Sequence, residues 1–130
     1  MDAEALADTN IILEVILQQE RSALCESILQ QRENRIAISD FSLSSIGIYL
    51  FRSNRESAFL NFIRDIDGIF TILNLELKDY SKIYDNKMKF HLDYDDSYQL
   101  AVAAIYGLEL ITLDKDFRDL DTSVQITLIR

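Results

Sequence analysis

Residues 92–117 read Leu-Asp-Tyr-Asp-Asp-Ser-Tyr-Gln-Leu-Ala-Val-Ala-Ala-Ile-Tyr-Gly-Leu-Glu-Leu-Ile-Thr-Leu-Asp-Lys-Asp-Phe. Asp95 or Asp96 suits a helix start, and Leu100, Ala101, Ala104 and Ile105 follow at helical spacing. Gly107 fits the left-handed position that ends a helix. Leu108 to Thr112 then has the apolar run of a buried strand, closing on Leu113, Asp114, Lys115 and Asp116. Helix, glycine, strand and acid in this order form half of a parallel α/β unit.

The same alternation extends upstream. Glu4 to Asp8 reads as a first strand ending in Asp-Thr-Asn, a turn and helix-start signal, with Ile12, Ile16 and Leu17 at helical spacing behind it. A second helix from about Glu20 to Arg32 turns Leu24 and Ile28 inward, with Cys25 as a small helix residue; Arg35 to Ser39 is the next strand. Asp40 or Ser42 caps the helix carrying Leu43, Ile46 and Leu50, and a further helix carries Phe59, Phe62 and Ile63. Gly68 releases the chain into a buried strand, Ile69 to Leu73. Leu77, Tyr80, Tyr84 and Met88 recur as the core face of a helix over a sheet, and Val124 to Ile129 supplies a last strand. Right-handed crossovers then place helices on both faces of one parallel sheet of four to five strands.

With 130 residues, 48% of them hydrophobic, the chain is long enough for one domain with its own core, and no proline-rich or glycine-rich linker divides it. The expected organisation is a single domain over 1–130. One cysteine excludes an internal disulfide and a zinc-thiolate cluster. No apolar run approaches the ~20 residues of a membrane span, and the acidic opening Met-Asp-Ala-Glu is unlike a signal peptide. A cytoplasmic protein with no membrane role is expected. Thirteen basic against twenty-two acidic residues give a net charge of −9, which repels nucleic acid unless cations intervene.

Asp8 and Asp114 follow two separate strands, and in parallel sheets ligands bind beyond those carboxyl ends. Asp96 opens a helix that must start from the same edge. Carboxylates gathered there stay ionised only with a compensating cation, for which Mg²⁺ or Mn²⁺ suits oxygen ligands. The competing reading is plain capping, which also selects Asp at such positions. Asp116 and Asp40 are further candidates, Asp95 is expected as the cap beside Asp96, and Thr9, Asn10, Ser45 and Thr112 are expected to stand around the acids and orient them.

These residues resemble a known family. Leu-Ala-Asp8-Thr-Asn-Ile is similar to the opening strand of PIN-domain proteins, including the VapC-like toxins. Asp96-Ser-Tyr-Gln-Leu-Ala-Val-Ala resembles the family's helix with its leading Asp, and Leu110-Ile-Thr-Leu-Asp114-Lys-Asp116-Phe its next strand. The resemblance spans Leu6 to Phe117. It implies a three-layer α/β/α sandwich and a metal-dependent endoribonuclease whose catalytic residues are Asp8, Asp96 and Asp114, with Asp116 joining them on Mg²⁺ or Mn²⁺. It also implies an RNA substrate, a homodimer and, for the toxin branch, an antitoxin partner. The family places a glutamate early in the helix after the second strand, in a frame that falls here at Ser44-Ser45-Ile46. Asp40 lies five residues before Ser45 and is an imperfect substitute.

Two other classes compete with the nuclease. One is a PIN-like module that binds RNA or protein without turnover, motivated by the serine pair. The other is a phosphoacceptor domain, disfavoured because Ala7 rather than an acid precedes Asp8. Lys115, Arg118, Arg52, Arg55 and the set Lys78, Lys82, Lys87 and Lys89 are possible phosphate contacts or plain solvated charges.

Overall fold

The structure, a computed structural model, describes residues 2–32 and 34–130. Five strands form one parallel sheet: β1 (Ala5–Ala7), β2 (Ile36–Ser39), β3 (Thr71–Leu73), β4 (Glu109–Thr112) and β5 (Ile126–Leu128), in the spatial order β3-β2-β1-β4-β5. Six helices connect them: α1 (Thr9–Ile16), α2 (Ser22–Gln31), α3 (Asp40–Arg52), α4 (Glu56–Ile66), α5 (Ser81–Phe90) and α6 (Tyr94–Tyr106).

Alternation along the strands divides the core in two. Ala5, Ala7, Ile36, Ile38 and Ile111 face a layer with Ile11 and Ile12 of α1, Cys25 of α2, Ile46 and Leu50 of α3, and Phe62 and Ile66 of α4. Leu6, Ala37 and Leu110 face the other way, onto Ile83 of α5 and Tyr98, Leu100, Ala101 and Val102 of α6. Successive side chains point to opposite faces, so strands buried on both sides must be apolar throughout. The result is the expected α/β/α sandwich. The small residues Ala5, Ala7 and Ala37 let helices approach the centre of the sheet.

Several local expectations are corrected. In α2 the buried residue is Cys25, while Leu24 is 45% exposed. β3 is an edge strand, shorter than Ile69 to Leu73, and Ile72 points to solvent. Leu77, Tyr80, Tyr84 and Met88 are all exposed; Leu77 belongs to a 3₁₀ turn before α5, and Ile83 is the helix's core residue. α5 packs chiefly on α6 rather than on the sheet, so only a narrow stripe is covered. The cap of α3 is Ser39, whose Oγ accepts from the Ser42 amide at 3.0 Å, and not Asp40 or Ser42. α6 starts at Tyr94, behind Asp93, two residues before the start that an Asp95 cap implies, so Asp95 lies within its first turn rather than capping it. Gly107 ends α6 at φ +67°, as its position required.

At the amino end of the sheet, Glu109 at the start of β4 is held by Arg32, with Nη1 2.5 Å from Oε1 and Nη2 3.2 Å from Oε2, and by the Thr127 hydroxyl of β5. This brace joins the end of α2 to two strands. The acids singled out in the sequence lie at the opposite end.

Candidate functional site

Asp8 is the first residue beyond β1, and its amide donates to Ile111 O at 2.9 Å, extending the pairing with β4. Its side chain caps α1 by accepting from Thr9 N at 2.8 Å. Thr112, the last residue of β4, donates from Oγ1 to Asp8 Oδ2 at 2.7 Å. The same Thr112 oxygen accepts from Asp114 N at 3.0 Å, and Asp114 Oδ1 accepts from Asp116 N at 2.9 Å. This succession folds Asp114 and Asp116 back over the strand end. Phe117, 1% exposed, anchors that turn in the core.

Asp96 reaches the same place from the first turn of α6. One carboxylate oxygen from each of Asp96, Asp114 and Asp116 lies within 4.8 Å of the others; Asp96 is buried, Asp114 half-buried and Asp116 exposed. Burial, together with the charge of Asp114, pushes the Asp96 carboxyl up to about 8, from an ordinary value of 3.8. Burial also raises Asp8, against the hydrogen bonds from Thr112 and Thr9 that favour its ionised form. Asp96 therefore holds a proton at neutral pH unless a cation replaces it.

Asp8 is beside this trio rather than within it. Its oxygens are engaged by Thr9, Thr112 and Gln99, while its charge acts on Asp96 and that of Asp114 acts on it. Asn10 serves the loop: its Oδ1 accepts from Leu113 N at 3.3 Å. Asp40 stands exposed at the first position of α3, outside the cluster, so it is no stand-in for the family's glutamate there. Ser45 is half-buried one turn beyond Ser42. Lys115 and Arg118 are exposed beside the Asp114 turn, whereas Lys78 pairs with Glu76 at 3.8 Å and Lys89 lies over the Phe90 ring. Lys82, Lys87, Arg52 and Arg55 are exposed.

The sequence reading missed a buried polar group behind Asp8. Gln99, 1% exposed, directs Nε2 to Asp8 Oδ1 at 3.3 Å, to Thr9 Oγ1 at 3.3 Å and to Ser42 Oγ. Thr9 Oγ1 and Ser42 Oγ share a hydrogen bond of 2.7 Å, and Ser39 Oγ donates to Ser42 Oγ at 3.1 Å. A signal existed: Gln99 is a lone amide in the apolar run of α6, three residues after Asp96 and so on the same helical face. A cavity of about 920 Å³ lies elsewhere, between α1, α2 and α4, where Ile12, Ile16, Leu29, Phe62 and Phe70 line it.

A family model for the PIN domain matches residues 5–123. Among solved structures, the chain is similar to a toxin–antitoxin complex from Klebsiella pneumoniae, with 24% identity over 91% of this chain and 93% of that one and a TM-score of 0.74. It is also similar to VapBC2 from Rickettsia felis bound to a DNA fragment from its promoter, at 14% identity over 95% and 97% of the two chains and a TM-score of 0.77. A third similar structure is VapC20 from Mycobacterium tuberculosis, a toxin described as cleaving the sarcin–ricin loop, at 12% identity, 88% and 92% coverage and a TM-score of 0.74. Comparison with curated proteins returned no match. Among the described residues, no helix is long and apolar enough to cross a membrane.

Proposed function

The chain belongs to the PIN domain family, and from that premise we propose that it is a metal-dependent endoribonuclease of the VapC-like type, acting in the cytoplasm as the toxin of a toxin–antitoxin pair. The observation that carries this reading is the convergence of Asp96, Asp114 and Asp116 at the carboxyl end of β4, with Asp8 alongside. Hard oxygen donors gathered where burial, with the charge of Asp114, raises Asp96 to about 8 fit a divalent cation, Mg²⁺ or Mn²⁺. Asp96, Asp114 and Asp116 would hold it, with Asp8 as the fourth carboxylate, making Asp8, Asp96 and Asp114 the catalytic set. When bound, such an ion supplies an activated water and neutralises charge on the attacked phosphate.

The chain's own residues contribute orientation. Thr112 keeps Asp8 and the Asp114 turn in fixed relation, and Thr9 donates to Asp8 from the start of α1. Lys115 and Arg118 flank the acids on the exposed side, where an RNA backbone would lie. The reading takes residues 1–130 as one domain. The exposed apolar side chains Ile48 and Phe51 of α3 and Leu60 of α4 favour a homodimer, and the VapBC and toxin–antitoxin neighbours favour an antitoxin partner.

Incubating the purified chain with Mn²⁺ and a broad RNA pool tests the activity. Shortened RNA from the wild type but not from Asp96→Asn is expected. Intact RNA beside an active control nuclease rejects turnover.

The serine pair Ser44-Ser45, in the frame where the family resemblance expects glutamate, favours one second reading: a PIN-like module that binds RNA or protein without cleaving. Binding of Mn²⁺ and of RNA with no cleavage at any Mn²⁺ concentration selects it.

A further inference from the structure

Gln99 is a buried polar side chain, 1% exposed. Its Oε1 is buried without a hydrogen-bond partner among the described residues. Its amide has two hydrogens facing three acceptors. Each acceptor also has another partner: Asp8 Oδ1 accepts from Thr9 N, Thr9 Oγ1 is bonded to Ser42, and Ser42 Oγ is bonded to Ser39 as well. An apolar residue here would leave no acceptor orphaned and would remove one orphan, Oε1. Burying an amide in this way opposes folding.

We infer that Gln99 is a positioning residue for Asp8. Its Nε2 holds Oδ1 while Thr112 holds Oδ2, so the carboxylate is gripped at both oxygens, by α6 and by β4. Through Ser42 and Thr9 the same amide ties α6 to α3 and to the start of α1, fixing three elements around one acid. Neighbours that orient a ligating carboxylate typically change metal affinity about 10–100-fold when removed. The inference rests on the metal-dependent reading above.

Gln99→Met tests it, because methionine keeps length and volume while deleting donor and acceptor. Mn²⁺ affinity by calorimetry and the melting temperature of the metal-free protein are measured for both chains. At least tenfold weaker Mn²⁺ binding (about tenfold being the lower end for such groups) is expected, with the melting temperature unchanged or higher. A merely structural glutamine gives the opposite pattern, a lower melting temperature with retained affinity, and a smaller loss of affinity overturns the inference. If the methionine variant does not fold, Gln99→Leu replaces it, and failure of both assigns Gln99 to the fold and sinks the proposal. If the wild type itself binds no Mn²⁺, the metal-dependent reading falls and this inference with it.

Discussion

Thr112 and Asp8 stand 104 residues apart in sequence, yet the threonine hydroxyl donates to Asp8 Oδ2 at 2.7 Å across the ends of adjacent strands. The same hydroxyl oxygen receives the amide of Asp114, so one side chain sets two acids. Thr112→Val preserves shape and removes both bonds. A stability loss of about 1–3 kcal/mol is expected, because Asp8 Oδ2 is left buried without its donor, and urea denaturation measures it. Mn²⁺ affinity should fall about tenfold or more; an unchanged affinity shows that Asp8 is oriented without Thr112.

Asp96 makes the metal-free protein sensitive to pH. Its carboxyl is pushed up to about 8 in the fold, against 3.8 as the ordinary value. Between those values the folded chain holds a proton that the unfolded chain has released. Stability from this group is therefore fully present at low pH and is lost as pH rises through about 8. Asp8, raised by burial, acts in the same direction. Melting temperatures without metal should decline from about pH 5 to about pH 8.5, and Asp96→Asn should flatten the decline. Saturating Mn²⁺ should raise the melting temperature most at the upper end. A flat wild-type profile contradicts the elevated carboxyl.

Ser45→Glu places an acid in the Ser44-Ser45-Ile46 frame, where the family resemblance expects one. Ser45 is one turn along α3 from Ser42, which already touches Thr9, and it is half-buried. Tighter Mn²⁺ binding and faster RNA cleavage than wild type are expected, read by calorimetry and by a gel time course. Equal affinity and rate would separate Ser45 from the Asp96, Asp114 and Asp116 cluster.

Phe117 secures the turn that presents Asp114 and Asp116. Truncation to alanine should cost about 3–5 kcal/mol, because the ring is buried at 1% exposure within the core shared by the sheet and α6. Thermal melts check this. A loss below about 1 kcal/mol would mean that the site can collapse around the missing ring.

Asp8, Asp96 and Asp114 were legible because strand ends and helix starts are marked by short-range signals, and a parallel sheet brings them to one edge. Asp116 followed from its place two residues after Asp114. Gln99 was not legible as a partner of Asp8, since their contact depends on how α6 lies across β1. The phase of two helices was also misread. In α2, Leu24 and Cys25 both fit a helical stripe with Ile28, and only packing decides that Cys25 turns inward. In and just before α5, Leu77, Tyr80, Tyr84 and Met88 have the period of a core face, but the helix leans on α6 through the Ile83 side and leaves those side chains exposed.

The Glu109 brace has a consequence for how such a chain changes over generations. Arg32, Glu109 and Thr127 tie helix and strands together at one pole, while the acids cluster at the other. Substitutions among the acids leave that tie untouched. A lineage can therefore exchange acids at one pole, or add one such as glutamate at position 45, while inheriting the same scaffold.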